Sequence, residues 1–301
     1  MPEYPRFLDI PAAAAAEADV LLLPLPFEAT VSYGHGTGAA PEAIWRASGQ
    51  VEDWDDELDF DLFAPKYHSA PPVTYGDEEP EDYLRRVREA ARELHAHRGL
   101  VFGIGGEHSL TPALIQAAAA AGKISDLGRL TVVQIDAHAD LRDEYDQTRF
   151  SHACAMRRVL DLGASVLAIG VRSADRAEAR FGRECGRVET WYAQTLATDP
   201  ACEPRLLERL GGLTGDVYLT VDIDALDPAL APGTGTPQPG GLGWYQTLRL
   251  LRRLLRENPA ARLVGCDLCE VVPQEGTAVN EFVAARLVCK IIAYHLQARA
   301  R

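Results

Sequence analysis

The sequence predicts an α/β fold: one three-layer α/β/α domain, residues 1–301, built on a mainly parallel β-sheet. Short apolar runs recur along the chain, separated by segments with helical periodicity, and that rhythm produces a parallel sheet covered by helices. The runs are continuous rather than alternating, as in strands buried on both faces. Three of them end in acidic residues or histidine, and open α/β sheets carry their sites at the carboxyl ends of strands.

Strands are expected at 19–25, 99–104, 130–135, 166–171, 217–222 and 262–271, with a weaker one near 187–190. The Pro-rich segment from Ala64 to Pro80 reads as a surface connection. Tyr83, Leu84, Val87, Ala91 and Leu94 recur at helical spacing, with Gly99 as the stop. Thr111-Pro112 reads as an N-cap followed by the first helical position, and Gly122 ends that helix. Leu248, Leu251 and Leu255 line a further helix, and the last runs from about Val283 to Gln297. The Gly- and Pro-rich stretch from Gly233 to Gly241 is suited to a loop that closes over a site.

Composition bounds the function. With 47% hydrophobic residues the chain can bury a full core, and a net charge of −14 without a basic cluster argues against nucleic acid and anionic membranes as partners. The same balance suits a small cationic partner. The N-terminus lacks a signal-peptide pattern and no apolar stretch approaches bilayer length, so a cytoplasmic location is expected. The six cysteines are scattered and form no disulfide framework. Cys266 and Cys269 lie three apart on a strand, on opposite faces, and are expected to be buried reduced thiols. His68, His95, His97 and His295 are expected to be solvated, and His35 sits in a Gly-rich loop that could rim a site.

The chemistry lies at three strand ends. Leu130–Ile135 leads into Asp136-Ala-His138-Ala-Asp140, Val217–Val221 into Asp222-Ile-Asp224, and Leu100–Ile104 into Gly105-Gly-Glu-His108. Alternating residues of an extended segment share a face. Four carboxylates and two imidazoles therefore suit two ions bridged by carboxylates, and the absence of thiolate favours Mn²⁺ over a structural zinc site. Four carboxylates also offset two divalent charges. Metal binding can bring the pKa of water from about 15.7 to about 7, giving a nucleophile at neutral pH. A single such Asp is usually a cap or turn residue; three segments in this arrangement point to a metal centre.

These motifs resemble a known family. Gly105-Gly-Glu-His-Ser109, Asp136-Ala-His-Ala-Asp140 and Asp222-Ile-Asp-Ala-Leu-Asp-Pro228 are similar to the three signatures of the ureohydrolases, the arginase and agmatinase superfamily. The resemblance implies an arginase-like fold with two Mn²⁺ per chain. It assigns His108 and Asp140 to one ion, His138 and Asp224 to the other, and Asp136 and Asp222 as bridges. It also implies that Asp140 orients the bridging hydroxide and donates a proton to the leaving nitrogen. His152 would relay protons, and Glu270 would pair with the substrate guanidinium. A homo-oligomer, trimer or hexamer, is implied as well.

In place of the Ser, Thr and Asn with which arginases receive the α-carboxylate and α-amino group of arginine, this chain has Asp143, Glu144 and Asp146. Carboxylates would repel an α-carboxylate and attract a distal ammonium. This loop, Tyr33-Gly-His-Gly-Thr37 and Gly235-Thr-Pro-Gln-Pro-Gly-Gly241 look most like the agmatinase branch. The expected reaction is hydrolysis of agmatine to putrescine and urea. N1-aminopropylagmatine is the alternative, and guanidinobutyrate is less suited. Two rivals stand beside this reading: a mononuclear zinc deacetylase-like enzyme and a non-catalytic metal-binding homologue.

Overall fold

A computed structural model describes residues 6–299, so both ends of the expected 1–301 domain lie outside the described residues. The strands are β1 (Val20–Leu25), β2 (Trp54–Asp55), β3 (Phe60–Asp61), β4 (Tyr67–Ser69), β5 (Leu100–Gly105), β6 (Thr131–Ile135), β7 (Ser165–Val171), β8 (Val188–Tyr192), β9 (Gly215–Asp222) and β10 (Ala261–Cys269). The helices are α1 (Ala40–Ser48), α2 (Pro80–His95), α3 (Thr111–Ala120), α4 (Ala155–Asp161), α5 (Arg176–Glu184), α6 (Ala193–Thr198), α7 (Cys202–Gly211), α8 (Trp244–Leu255) and α9 (Val279–Arg299). Eight strands pair in parallel in the order β4-β1-β5-β10-β9-β6-β7-β8, while β2 and β3 form a small antiparallel hairpin.

The continuous apolar runs are explained by the two faces they serve. Val20, Leu22, Phe102, Val133 and Leu219 pack on one side, with residues of α1, α7, α8 and α9. Their neighbours Leu21, Val101, Val132 and Tyr218 pack on the other, with α2, α3 and α4. Successive side chains of a strand alternate in direction, so a sheet covered on both faces needs apolar residues at every position. Each Leu or Ile buried this way contributes about 1.5–3 kcal/mol relative to exposure.

Several local expectations need correction. Residues 64–80 are not only a connection: Tyr67–Ser69 adds the edge strand β4 beside β1. Thr111 does not cap α3 with its side chain, because its hydroxyl bonds Asp267 instead; Gly122, at φ 73°, does follow the helix end as expected. His95 is buried rather than solvated, on the α2 stripe that also carries Val87, Ala91 and Leu94. Cys266 and Cys269 are free buried thiols within β10. Among the described residues, no helix is long and apolar enough to cross a membrane.

Candidate metal centre

Four neighbouring central strands, β5-β10-β9-β6, end at one level. Cys269 pairs with Asp222, Ile135 with Val221 and Leu268 with Ile104, so the residues that follow converge above the sheet edge. His108 begins a 3-10 turn after β5. Its approach depends on Gly106, where a Cβ would lie 1.8 Å from the Phe27 carbonyl oxygen. Asp136 leaves β6 with its N–H on Ile169 O, and Asp222 ends β9 by capping a 3-10 turn, accepting the Asp224 N–H at 2.8 Å. Asp140 and Glu270 both lie at positive φ, 52° and 63°. Such conformations cost of order 1–3 kcal/mol in non-glycine residues and cluster at functional sites.

All six expected metal ligands are brought together. His108 Nδ1 lies 3.1 Å from Asp136 Oδ2, 3.0 Å from Asp140 Oδ2 and 3.6 Å from Asp222 Oδ2. His138 Nδ1 lies 2.8 Å from Asp224 Oδ2 and 3.8 Å from Asp136 Oδ1. The two oxygens of Asp136 thus face different histidines. Two donor groups result: His108, Asp136 and Asp140, and Asp136, His138 and Asp224. Cys269 adjoins His108 and Asp222, but burial pushes its thiol well up, which keeps it protonated and a poor ligand.

The donors fit two divalent cations. Four carboxylates crowd a space in which Asp136, Asp140, Asp222 and Asp224 are all buried, and buried charge of one sign demands a counter-ion. Burial opposes protonation of both histidines, yet the carboxylates outweigh it. His108 is raised well above its ordinary value by Asp136 and Asp140, and His138 is raised to about 9 by Asp224. Burial and then Asp136 push Asp140 up to about 7.

The orientation of His108 supports the same fit. Asp267 is fully buried and accepts hydroxyl bonds from Thr220 at 2.6 Å, Tyr218 at 2.8 Å and Thr111 at 3.1 Å. Thr220 has one proton and gives it to Asp267, so its oxygen accepts from His108 Nε2–H at 2.8 Å. A neutral His108 then carries its lone pair on Nδ1, which is buried and makes no aligned hydrogen bond. It is aimed among the carboxylates, where a metal ligand belongs.

Above the carboxylates opens a cleft of about 360 Å³. His152 and Glu270 both line it. Burial pulls His152 down to about 4, with the charges of His138 and His108 adding to the effect, so its ring is neutral. Burial and then Glu107 push Glu270 well up, while its Oε1 accepts the His108 N–H at 2.7 Å. The expected closing loop also reaches the cleft through Gly235, Thr236 and Gln238, and Gly34 N–H bonds Gly235 O at 3.1 Å. Tyr33 stands exposed at the mouth.

Asp143, Glu144 and Asp146 do not line the cleft. All three are exposed, and Asp143 is engaged by Arg149 and Arg158. The acidic residues on the wall are instead Asp175 and Glu178, each 3.6 Å from the Arg142 guanidinium, which partly offsets their charge. The sequence does hold a signal for that pair, because Asp-x-x-Glu before a helix is a capping box, and both reciprocal bonds are present. Arg172 is a further residue that the motifs did not reveal. Its half-buried guanidinium donates to the carbonyls of Asp224 and Gln238, each at 2.7 Å, and so ties the ligand loop to the closing loop.

Comparison with known proteins agrees with this geometry. The Arginase family model matches residues 18–294. The chain is 36% identical to N(1)-aminopropylagmatine ureohydrolase of Synechocystis sp., over 96% of this chain and 93% of that one. It is 31% identical to agmatinase of Pyrococcus horikoshii, over 95% of each. Among solved structures, agmatine ureohydrolase of Thermoplasma volcanium superposes with a TM-score of 0.84 at 28% identity, covering 96% of this chain and 93% of that one.

Proposed function

The chain belongs to the arginase family, and from that premise we propose that it hydrolyses agmatine to putrescine and urea. The observation that carries this reading is one cleft with five of the six ligand residues at its floor, Asp136 buried among them, and Asp175 and Glu178 on its wall. A guanidinium at the floor and an ammonium at the wall are the two ends of agmatine. A second reading, N1-aminopropylagmatine, is favoured by the 36% identical relative of that name and by an open cleft mouth.

His108, Asp136 and Asp140 would hold one divalent ion and Asp136, His138 and Asp224 the other, with Asp222 a further donor beside His108. Oxygen and imidazole donors suit Mn²⁺. When bound there, two such ions would supply a water deprotonated near neutral pH and would stabilise charge on the substrate. The chain's own residues do the rest. Glu270 pairs with the guanidinium and orients its carbon over the carboxylate cluster. Asp140 delivers a proton to the leaving alkyl nitrogen, and His152 exchanges protons between that amine and solvent. Asp175 attracts the distal ammonium, with Glu178 behind it holding the Asp175 N–H at 2.9 Å. We read residues 1–301 as one such domain, working as a homo-oligomer.

The test is urea release by the Mn²⁺-loaded protein from agmatine, N1-aminopropylagmatine, arginine and guanidinobutyrate at equal concentration. Preference for either ammonium-tailed substrate is expected. Asp175→Asn should raise KM for that substrate by about fivefold, the worth of roughly 1 kcal/mol for a partly solvated ion pair. Preference for arginine or guanidinobutyrate would overturn the reading of the wall.

A further inference from the structure

His152 is held from behind by a chain of acceptors. Thr30 Oγ1 lies 3.2 Å from His152 Nδ1 and also 3.2 Å from the His152 backbone N–H. Behind Thr30 stands Glu107, fully buried on the turn after β5. One Glu107 oxygen accepts the backbone N–H groups of Ala29 and Thr30, the latter at 2.6 Å, and the other oxygen accepts the Thr30 hydroxyl. Three donors thus converge on this carboxylate, which acts only as an acceptor.

The hydroxyl count fixes the rest. A threonine hydroxyl has one proton and two lone pairs. With the proton committed to Glu107, Thr30 Oγ1 can only accept, and it takes the His152 backbone N–H and the ring Nδ1–H. Ser151 Oγ lies at 3.5 Å from the same nitrogen, a longer contact that can accept but is not needed to direct the ring. A neutral His152 therefore carries its proton on Nδ1 and its lone pair on Nε2. Nε2 is the atom left to exchange protons in the cleft that His152 lines.

We propose that Thr30 and Glu107 are positioning residues for His152, selecting the tautomer in which Nε2 takes and returns the proton during turnover. The proposal rests on the reading of His152 as the proton relay, and it adds the device that makes one ring nitrogen competent. No proton leaves Nδ1 in this scheme. Nε2 gains a proton from solvent and passes it on to the departing amine, so Thr30 and Glu107 begin and end each cycle unchanged. The second nitrogen of a working histidine is commonly fixed by an acceptor in this way.

The test is a double-mutant cycle on the Mn²⁺-loaded full chain, using Thr30→Val, His152→Asn and the pair together, with kcat, KM, Mn²⁺ per chain and Tm measured for each. His152→Asn is expected to lower kcat about 100-fold, the lower end of general acid–base effects. Thr30→Val should lower kcat about tenfold with KM and metal content unchanged, and Thr30→Ser should restore it to within about twofold. In the His152→Asn background Thr30→Val should have no further effect, because Thr30 acts only through the ring. Independent, multiplying losses would overturn the positioning role while leaving the relay intact. An unchanged kcat in His152→Asn would instead remove the relay and the proposal with it. If valine lowers Tm, Thr30→Ala, which removes the hydroxyl without adding bulk, takes its place and must meet the same expectations.

Discussion

Replacing Glu270 by glutamine removes an ionisable carboxyl from the cleft and almost nothing else. In the wild-type chain Glu270 is buried at the end of β10 and accepts the His108 N–H at 2.7 Å. An amide oxygen can accept that bond equally well, so the backbone of the His108 turn keeps its partner. Glu270 belongs to neither of the two donor groups, so Mn²⁺ content should stay at the wild-type level. What is lost is the partner of the substrate guanidinium. Breaking one side of a buried ion pair costs about 3–5 kcal/mol, and the open mouth of the cleft places this case at the lower end. About 3 kcal/mol corresponds to about a 100-fold fall in kcat/KM. Stability should hold or rise, because burial already disfavours the ionised carboxyl. The assay is urea release by wild-type and Glu270→Gln protein of equal metal content. A fall of less than about threefold, or loss of metal from the variant, would refute the assignment.

Three further outcomes follow from the same structure. Metal binding should release protons, because the carboxylates hold His108 and His138 protonated, the latter up to about 9, and ligation requires the neutral rings. Calorimetric titration of Mn²⁺ at pH 7.5 in buffers of different ionisation enthalpy should show release and tighter binding as pH rises towards 9; buffer-independent heats would contradict it. Buried His95 has a folded-state value near 4 against 6.5, so the unfolded chain binds more protons between those values and stability falls as pH drops through that window. The loss amounts to at most about 3 kcal/mol, and His95→Leu should flatten the acid limb of denaturant unfolding; an unchanged limb would show that the ring titrates normally. Gly106→Ala forces a methyl against Phe27 O and should displace the His108 turn, weakening Mn²⁺ binding by at least about tenfold with a destabilisation of about 1–3 kcal/mol. Wild-type affinity in that variant would show that the turn can shift freely.

The parts of this protein that were legible in the sequence are those written in contiguous residues. Each central strand is an apolar run long enough to read, and each ligand segment directly follows its strand, so Asp136, His138, Asp140, Asp222, Asp224 and His108 could be assembled from order alone. The cleft wall was not legible in that way. Asp143 lies close to the ligands in sequence, but Arg149 and Arg158 offer it closer partners than the cleft does. Asp175 and Glu178 reach the cleft because α5 starts beside it, and locally they read as a helix cap. Thr111 shows the reverse case: its position suggests a cap, while a buried carboxylate from a strand 156 residues away claims the hydroxyl. Thr30 and Glu107 are separated by 77 residues and become partners only once β1 and β5 lie side by side. The burial of His95 is legible, since its place on the buried stripe of α2 follows from helical spacing.

The central claim is that a two-ion centre in this cleft hydrolyses a guanidine. Its most direct test is to load the metal-free chain stepwise with Mn²⁺, counting bound ions by elemental analysis and urea and putrescine released from agmatine at each step. Activity should appear with occupancy, reach its maximum at two ions per chain, and yield urea and putrescine in equal amounts. Full activity at one ion per chain would contradict the two-ion centre and favour mononuclear chemistry. Two bound ions without urea from agmatine or any of the other three guanidines would contradict the enzyme itself and leave a metal-binding homologue.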